Sequence, residues 1–263
     1  MKIQSLLKLS LTLVLSVSLF TACASEEDAE VAESETVIEE AAPNTLTAQE
    51  IEDGWVLLFD GETTNGWRSY NQESFPEGGW VIEDGALRVI GTGMGEAGGE
   101  GGDIIYDEMY QNFHLKLEWK VSEGGNSGIF YLAQELENTP IWQSSPEMQV
   151  LDNERHPDAM LGVDGNRMAG SLYDLIPAVP QNFRGAGEWN QAEVLVYRGT
   201  VVHFQNGSPV VEYHLGTPAW EEMVENSKFQ PYENFGQNTP GFIGLQDHGD
   251  DVWFRNIKIQ IRD

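Results

Sequence analysis

The sequence predicts an all-β domain, built as a two-sheet antiparallel β-sandwich or jelly roll. Three observations support this prediction. No stretch after Asp53 keeps a long helical period, short runs of alternating apolar and polar residues follow one another instead, and Gly, Pro and Asn separate these runs. The predicted strands are 55–60, 80–82, 86–89, 103–105, 113–121, 128–133, 147–151, 191–198, 201–205, 210–214, 241–246 and 252–261.

The clearest turn signal is Asn206-Gly207, a dipeptide that favours the tight turn of a β-hairpin. It joins the predicted strands on either side of it. Residues 218–225 predict one helix of a few turns, and the glycine-rich segment 91–102 predicts a loop. A phosphate-binding loop is excluded there, because the segment has no strand-to-helix context and contains no Lys.

Residues 1–22 resemble a bacterial signal peptide. Lys2 and Lys8 give a positive start, and the apolar stretch 6–20 is short for spanning a bilayer. Cys23 is the only cysteine and follows a small residue, as in the lipobox of bacterial lipoproteins. We predict that Cys23 carries lipid and anchors the chain to a membrane. A plain signal peptide with an incidental cysteine is the alternative.

Residues 23–53 predict the lipidated cysteine and an acidic, disordered tether. Positions 24–53 contain eleven acidic residues and no Lys or Arg, so this segment cannot bury a core. The run Ser25-Glu-Glu-Asp28 resembles the export signal of surface lipoproteins in Bacteroidetes-type bacteria. We therefore expect an envelope lipoprotein of the outer membrane, on its periplasmic face or at the cell surface.

The folded domain is predicted over residues 54–263, and it is acidic as well. It holds 32 of the 43 acidic residues of the chain and 12 of its 14 Lys and Arg residues. A domain of this charge repels phosphate backbones, which argues against nucleic acid as a partner.

One predicted strand carries polar residues at alternate positions. Glu147 and Gln149 lie on the same face because side chains alternate along a strand. Asp152 joins them only if a β-bulge at Val150 or Leu151 reverses the alternation. Such a polar face either lines a ligand groove or lies in bulk water.

Other predicted strands offer matching polar groups, and these favour a groove on one concave surface. Exposed sandwich faces usually carry Thr, Lys, Ser and Glu, whereas imidazole and amide groups recur here. The matching positions are Glu118, Lys120, His203, Gln205, Gln246 and His248. Aromatic side chains are numerous enough to stack on sugar rings, although core packing is their default role. They include Trp67, Trp80, Trp142, Tyr131 and Tyr173.

No cofactor is predicted. The five histidines are scattered, and the single cysteine excludes paired-cysteine metal motifs. There is no Gly-x-Ser-x-Gly elbow either, which argues against a serine hydrolase. A Ca²⁺ or other divalent ion held by Asp and Glu oxygens near 152–154 or 247–251 is left open.

Eight motifs, in order, resemble the 3-keto-disaccharide hydrolase family, long classed as a domain of unknown function. The resemblance spans about residues 54–263. It implies a sandwich of the concanavalin A-like lectin/glucanase type and a glycosidase-type hydrolase that cleaves glycosides oxidised to a ketone at C3. The motifs are Leu58-Phe-Asp-Gly-Glu-Thr-Thr-Asn-Gly-Trp67, Glu118-Trp-Lys120, Gly124-Gly-Asn-Ser-Gly-Ile-Phe-Tyr131, Glu147-Met-Gln-Val-Leu-Asp-Asn153, Gly170-Ser-Leu-Tyr-Asp174, Gly187-Glu-Trp-Asn190, His203-Phe-Gln-Asn-Gly207, and Gly244-Leu-Gln-Asp-His-Gly249 with Phe254-Arg-Asn-Ile257.

Two alternatives come from the same fold. One is an ordinary β-glucanase-type glycosidase, in which Glu-x-Asp-x-x-Glu presents two carboxylates on one strand face. Here Gln149 and Asp152 stand at the later two positions, and the amide argues against plain acetal hydrolysis. The other alternative is a non-catalytic, lectin-like carbohydrate-binding module.

The chemistry of a 3-keto sugar suggests roles for the candidate residues. Its C2–H is acidic, so removal of that proton, loss of the C1 aglycone and addition of water would cleave the bond. Glu147 and His248 are assigned as base and acid, in either order, with Asp152 and His203 in support. Arg255 either binds a carboxylate or holds a turn. The full substrate-binding set is Gln149, Gln246, Lys120, Glu118, Gln205, Arg255 and Asn126.

Overall fold

A computed structural model describes residues 42–93 and 99–263. Helix α1 spans Ala48–Glu52 and α2 spans Pro218–Glu225, and 3₁₀ helices cover Ile141–Gln143 and Pro157–Met160. The strands are β1 Trp55–Leu57, β2 Trp67–Ser69, β3 Trp80–Glu83, β4 Ala86–Val89, β5 Ile104–Tyr110, β6 Phe113–Val121, β7 Asn126–Ala133, β8 Glu147–Leu151, β9 Asn190–Tyr197, β10 Thr200–Gln205, β11 Ser208–His214, β12 Gly241–Leu245 and β13 Val252–Ile261.

These strands form two antiparallel sheets. The eight-stranded sheet has the order β11-β10-β9-β6-β13-β4-β3, and β1 also pairs with β13. The five-stranded sheet has the order β2-β5-β12-β7-β8. The two sheets contribute to one apolar core, which contains Leu117 and Trp119 from β6 together with Ile129 and Leu245 from the other sheet. The predicted two-sheet antiparallel β-sandwich is confirmed.

Strand β6 shows how the sequence specifies its place in the sandwich. Its apolar residues alternate with polar ones, and burial follows the alternation along the whole strand. Trp119 is fully buried, whereas Glu118 and Lys120 lie on the face that points away from the core. One face of the eight-stranded sheet therefore meets the core and the other meets solvent.

The five-stranded sheet is covered on both faces. All residues of β7 and β8 are buried, including the polar ones. On the face away from the main core, Ile105, Phe130 and Ile141 form a second, smaller apolar cluster. The remainder of that face lies under chain segments that connect the strands, and this is where the candidate site is found.

Turn and helix predictions are confirmed in detail. Asn206 and Gly207 both have positive φ (49° and 79°), as a tight hairpin turn between β10 and β11 requires. Helix α2 begins after Thr217, whose side chain accepts a hydrogen bond from the N–H of Trp220. Strand β2 was not predicted from the sequence.

The folded domain begins before Gly54, so the predicted tether is too long at this end. Thr47 and Glu50 form a capping box that starts α1. Glu50 forms an ion pair with Lys258 of β13, and Asn44 exchanges hydrogen bonds with Asn256. These side-chain contacts hold the segment around α1 against the rest of the domain, although its composition alone predicts disorder.

The signal peptide, Cys23 and most of the acidic tether lie outside the described residues. The lipid anchor and the envelope location therefore stay predictions. Within the part of the chain that the structure describes, no helix is both long and apolar enough to cross a membrane.

Candidate active site

A cavity of about 190 Å³ lies against the outer face of the five-stranded sheet. The sheet contributes polar side chains to it, and the connecting segments contribute a largely aromatic wall. The polar group consists of Asn126 from β7, Glu147 and Gln149 from β8, and Gln246 and His248 that follow β12. The facing group consists of Trp142, Tyr173, Lys228, Phe229 and Tyr232.

The register of β7 and β8 creates room for the Glu147 carboxylate. Glu147 pairs with Phe130 and Gln149 pairs with Gly128, without any register shift. A Cβ atom at Gly128 would overlap Oε1 of Glu147 and lie 2.7 Å from its Cδ. Any larger residue at position 128 would therefore have to displace the Glu147 side chain, which lies across the Gly128 backbone.

The outer edge of β8 pairs with the segment 170–173. The N–H of Gly170 donates to the carbonyl of Gln149 at 2.8 Å, and the N–H of Gln149 donates to Ser171 at 3.1 Å. The N–H of Tyr173 donates to the carbonyl of Glu147 at 3.0 Å. This short ladder positions Tyr173 beside Glu147 at the cavity.

Glu147 lies in a nearly closed setting, with 7% of its surface exposed. Burial raises the pKa of the Tyr173 hydroxyl, and the negative charge of Glu147 raises that pKa further. Tyr173 is therefore protonated and donates its hydroxyl to Asp158 at 2.9 Å.

Lys228 brings a positive charge to the same cavity. Its Nζ lies 4.0 Å from the centre of the Tyr173 ring and 3.9 Å from a carboxylate oxygen of Asp174. Partial burial lowers the pKa of Lys228, against the opposing effects of Asp174 and Glu147. A lysine with a lowered pKa gives up its proton more readily near neutral pH.

The aromatic wall has the composition of a sugar-binding surface. The rings of Trp142 and Tyr232 meet edge to face at 5.2 Å, and both are only half-buried. Such rings bury the apolar face of a sugar while their polar edges remain hydrated. Trp142 and Tyr173 are the two predicted stacking residues that reach the cavity, whereas Trp67, Trp80 and Tyr131 pack in the core.

The structure brings together five of the predicted site residues and separates the others from them. Asp152 is one of the separated ones. The pairing of β7 with β8 runs without interruption to Leu151, so the predicted bulge is wrong. Asp152 is fully buried and accepts the N–H groups of Gly124 and Glu154 at 2.7 and 3.0 Å. It fixes a turn rather than lining the cavity.

His203 and Gln205 also lie away from the cavity, in the interior. Burial on β10 is the reverse of the predicted alternation, because these polar residues point inward while Phe204 points outward. His203 contacts the Tyr131 hydroxyl at 2.7 Å and the Gly170 carbonyl at 3.1 Å. Gln205 donates to the side chains of Gln181 and Asn182, both at 3.0 Å.

Glu118, Lys120 and Arg255 lie on the solvent face of the eight-stranded sheet, so they cannot share a groove with Glu147. Arg255 donates to Glu118 at 2.7 Å. Nζ of Lys120 lies 4.5 Å from the Trp253 ring centre and 5.0 Å from that of Trp189. Their placement as substrate-binding residues on a common surface is wrong, because β6 and β13 belong to the other sheet.

Stability below neutral pH is predicted to depend on His203. Burial lowers the pKa of His203 to about 4 in the folded protein, from about 6.5 in an unfolded chain. Between these values the unfolded chain binds a proton that the folded protein does not, so stability falls as pH is lowered. We expect a loss of about 3 kcal/mol between pH 6.5 and 4.

Urea unfolding of the wild type and of His203→Gln across this pH range tests the prediction. The variant is less stable at pH 7, and its stability falls less on acidification. Equal pH dependence in the two proteins would show that His203 is not the group responsible.

Three residues that line the cavity were not predicted from the sequence as site residues. Lys228, Phe229 and Tyr232 follow α2 in a segment that has neither a strand nor a helix period. The only sequence signal is a Lys immediately before Phe229, in a chain with few Lys and Arg residues.

Comparisons with known proteins agree with this architecture. A model of the 3-keto-alpha-glucoside-1,2-lyase-like domain matches residues 54–260. A 3-keto-disaccharide hydrolase from Bacteroides thetaiotaomicron is 47% identical over 280 aligned positions, which cover 95% of this chain and 96% of the relative.

Two solved structures from Parabacteroides distasonis, both candidate glycosyl hydrolases, are also similar. One is 29% identical with a TM-score of 0.75, over 84% of this chain and 100% of the other. The second is 25% identical with a TM-score of 0.57, over 79% of this chain and 99% of the other.

Proposed function

Because the chain belongs to the family of 3-keto-alpha-glucoside-1,2-lyase-like domains, we propose that it cleaves glycosides whose C3 hydroxyl has been oxidised to a ketone. One observation carries the proposal. Among the described residues that line the cavity, Glu147 is the only carboxylate. Ordinary glycosidases of the retaining and inverting types use two carboxyl groups on either side of the bond. One base together with cationic and imidazole groups suits elimination beside a ketone instead.

The first step is removal of the C2 proton by Glu147. The C3 ketone acidifies this proton, because the resulting negative charge is delocalised onto the ketone oxygen. Glu147 is only 7% exposed and lines the cavity, so its carboxylate faces a bound substrate rather than bulk water. Charge at the ketone oxygen is stabilised by His248, the imidazole that lines the cavity.

The second step is departure of the aglycone. Electrons of the enolate form the C1–C2 double bond as the C1–O bond breaks, and the leaving oxygen takes a proton. Lys228 is suited to supply it, since its lowered pKa eases proton release. The sugar ring then remains as an enone, with the double bond next to the C3 ketone.

Addition of water completes a net hydrolysis. Water bonds to C1, its proton passes to the protein, and Glu147 returns a proton to C2. Elimination alone is a lyase reaction, and elimination followed by hydration is a hydrolase reaction. One site that performs both accounts for the family description and for the name of the Bacteroides relative.

The amide side chains and the aromatic wall of the cavity bind the substrate. Asn126, Gln149 and Gln246 offer donors and acceptors to sugar hydroxyls. Trp142 and Tyr232 offer apolar surface to a ring face. Carbohydrate is therefore the proposed partner, and specificity between glycosides depends on how the aglycone meets this wall.

A substrate panel tests the proposed activity. The domain is incubated with 3-keto-trehalose, 3-keto-sucrose and the unoxidised parent sugars, and products are identified by mass spectrometry. We expect cleavage of the 3-keto sugars only. Reducing sugar released from an unoxidised glycan would favour an ordinary glycosidase. Binding without any product would favour a lectin-like module.

Lys228→Met is expected to lower kcat on a 3-keto-glycoside by about 10²-fold, the lower end for a lost proton donor. The loss should shrink for an aglycone that is a good leaving group, since such a group needs no proton. Lys116→Met is the matched control, because Lys116 also lies over an aromatic ring, Trp55, but on the other sheet. Equal losses in both variants would contradict the role of Lys228.

A further inference from the structure

We propose that His156, His248 and Asp250 bind one divalent transition-metal ion at the edge of the cavity. Each residue offers one ligand atom, and the three atoms lie within 4.8 Å of one another. His248 also lines the cavity, so an ion held there would face bound substrate. Three protein ligands with a remaining open position are the arrangement that catalytic metal sites use.

The His248 ring provides a second, independent observation. Its Nδ1 atom is buried and has no hydrogen-bond partner among the described residues. The nearest carboxylate oxygen, Oδ2 of Asp250, is 3.7 Å away, which is too far for a hydrogen bond. Two ligands about 2.1 Å from one ion lie roughly 3.4 Å apart in tetrahedral geometry. The separation therefore suits two atoms that share an ion.

The other two ligands are held by their surroundings. Oδ2 of Asp250 accepts the N–H of Asn126 at 3.1 Å, which orients the carboxylate. His156 caps the 3₁₀ helix Pro157–Met160, and its Nδ1 accepts the N–H of Asp158 at 3.2 Å. An ion on Nε2 moves the ring proton to Nδ1 and removes this one long hydrogen bond. Binding thus requires only a small local change.

The ligand set selects the class of metal. Two imidazoles and one carboxylate suit Zn²⁺, Co²⁺, Mn²⁺ or Fe²⁺, whereas Ca²⁺ prefers oxygen ligands only. The His156 and His248 rings meet nearly perpendicular, at 82° and 5.8 Å, so their nitrogens can converge on one point. Carboxylates of Asp152 and Asp158 lie near His156 as well and add negative charge around the ion.

The role of the ion, unlike its binding, rests on the proposed function. A divalent cation beside the cavity would act as a Lewis acid on the C3 ketone and stabilise the enolate oxygen. His248 would then exert its effect as a ligand, while Glu147 and Lys228 carry the protons. The sequence left open a divalent ion near 247–251, a range that contains His248 and Asp250. It did not indicate His156, because this residue lies in a separate loop that has no regular spacing to the other two.

Metal binding to the full chain tests the inference without any substrate. Protein stripped with EDTA is titrated with ZnCl₂, CoCl₂, MnCl₂ or CaCl₂ by calorimetry, and bound metal is counted after dialysis. We expect one equivalent of a transition metal and none of Ca²⁺. His156→Gln and Asp250→Asn should each weaken binding by about 10²-fold or more, whereas the exposed control His214→Ala should not.

Circular dichroism of each variant verifies its fold, and Co²⁺ absorption in the wild type reports the coordination independently. Absence of stoichiometric binding, or binding that both ligand variants retain, would overturn the site. Full turnover of a 3-keto-glycoside by the stripped protein would overturn the Lewis-acid role. Absence of turnover in a protein that binds the metal would tell against the proposed function alone.

Discussion

Glu147→Gln is expected to lower kcat/KM on a 3-keto-glycoside by at least about 10²-fold, the usual scale for a lost acid–base group. The amide has nearly the same shape as the carboxylate, so it fills the same space over Gly128. It cannot accept a proton from C2. Sugar binding should therefore survive, and the loss should appear in kcat rather than in KM.

The matched control is Glu188→Gln, which makes the same chemical change at an exposed position outside the cavity. Its kinetics should equal those of the wild type. Wild-type activity in Glu147→Gln would exclude Glu147 as the base. His248→Ala belongs to the same test, and we expect a loss of at least about 10²-fold there as well.

Gly128→Ala is expected to disable the site without touching a polar group. The added methyl would overlap Oε1 of Glu147 and must displace the carboxylate or the strand. Misplacement of a reacting group by about 1 Å can cost 10²-fold in rate. An extra methyl group between the buried strands β7 and β8 is also expected to lower the free energy of unfolding by roughly 1–3 kcal/mol.

Gly78→Ala is the matched control for this substitution. A Cβ atom at position 78 would meet no other atom within 4 Å. Neither Gly78 nor Gly128 has a positive φ, so both positions accept alanine without backbone strain. Kinetics and thermal unfolding of both variants separate the steric effect from a general effect of losing glycine. Normal activity in Gly128→Ala would mean that Glu147 does not need its observed position.

Much of the fold could be predicted from local patterns. The alternation in β6 identifies its buried face, and Asn206-Gly207 identifies a hairpin, because both depend on neighbouring residues alone. Glu147 and Gln149 could be assigned to one face for the same reason. The acidic composition of residues 24–53 predicted disorder up to Asp53, which is wrong for the last part of that segment. Helix α1 is ordered there because Glu50 and Asn44 contact distant parts of the chain.

The rest of the site depends on contacts that are distant in sequence. His203 and Gln205 appeared to face solvent because polar residues usually do. They face the core instead, where His203 contacts Tyr131 and Gly170. The amide nitrogen of Gln205 donates there to Gln181 and Asn182. The bulge was predicted because a buried Asp152 carboxylate was expected to be unfavourable. In the structure Asp152 is buried without a bulge, and its carboxylate accepts hydrogen bonds from two backbone N–H groups. Lys228 reaches the cavity from an irregular segment, which no periodicity can indicate.

Proton removal from C2 is the central claim, and deuterium incorporation tests it most directly. 3-Keto-trehalose is cleaved in D₂O, and the 3-keto-glucose formed at early times is analysed by mass spectrometry and NMR. A sample of 3-keto-glucose without enzyme measures spontaneous exchange. Elimination and hydration predict deuterium at C2 of the product well above that background. A product that keeps hydrogen at C2, together with no kinetic isotope effect for a substrate deuterated at C2, would contradict the mechanism and indicate direct hydrolysis.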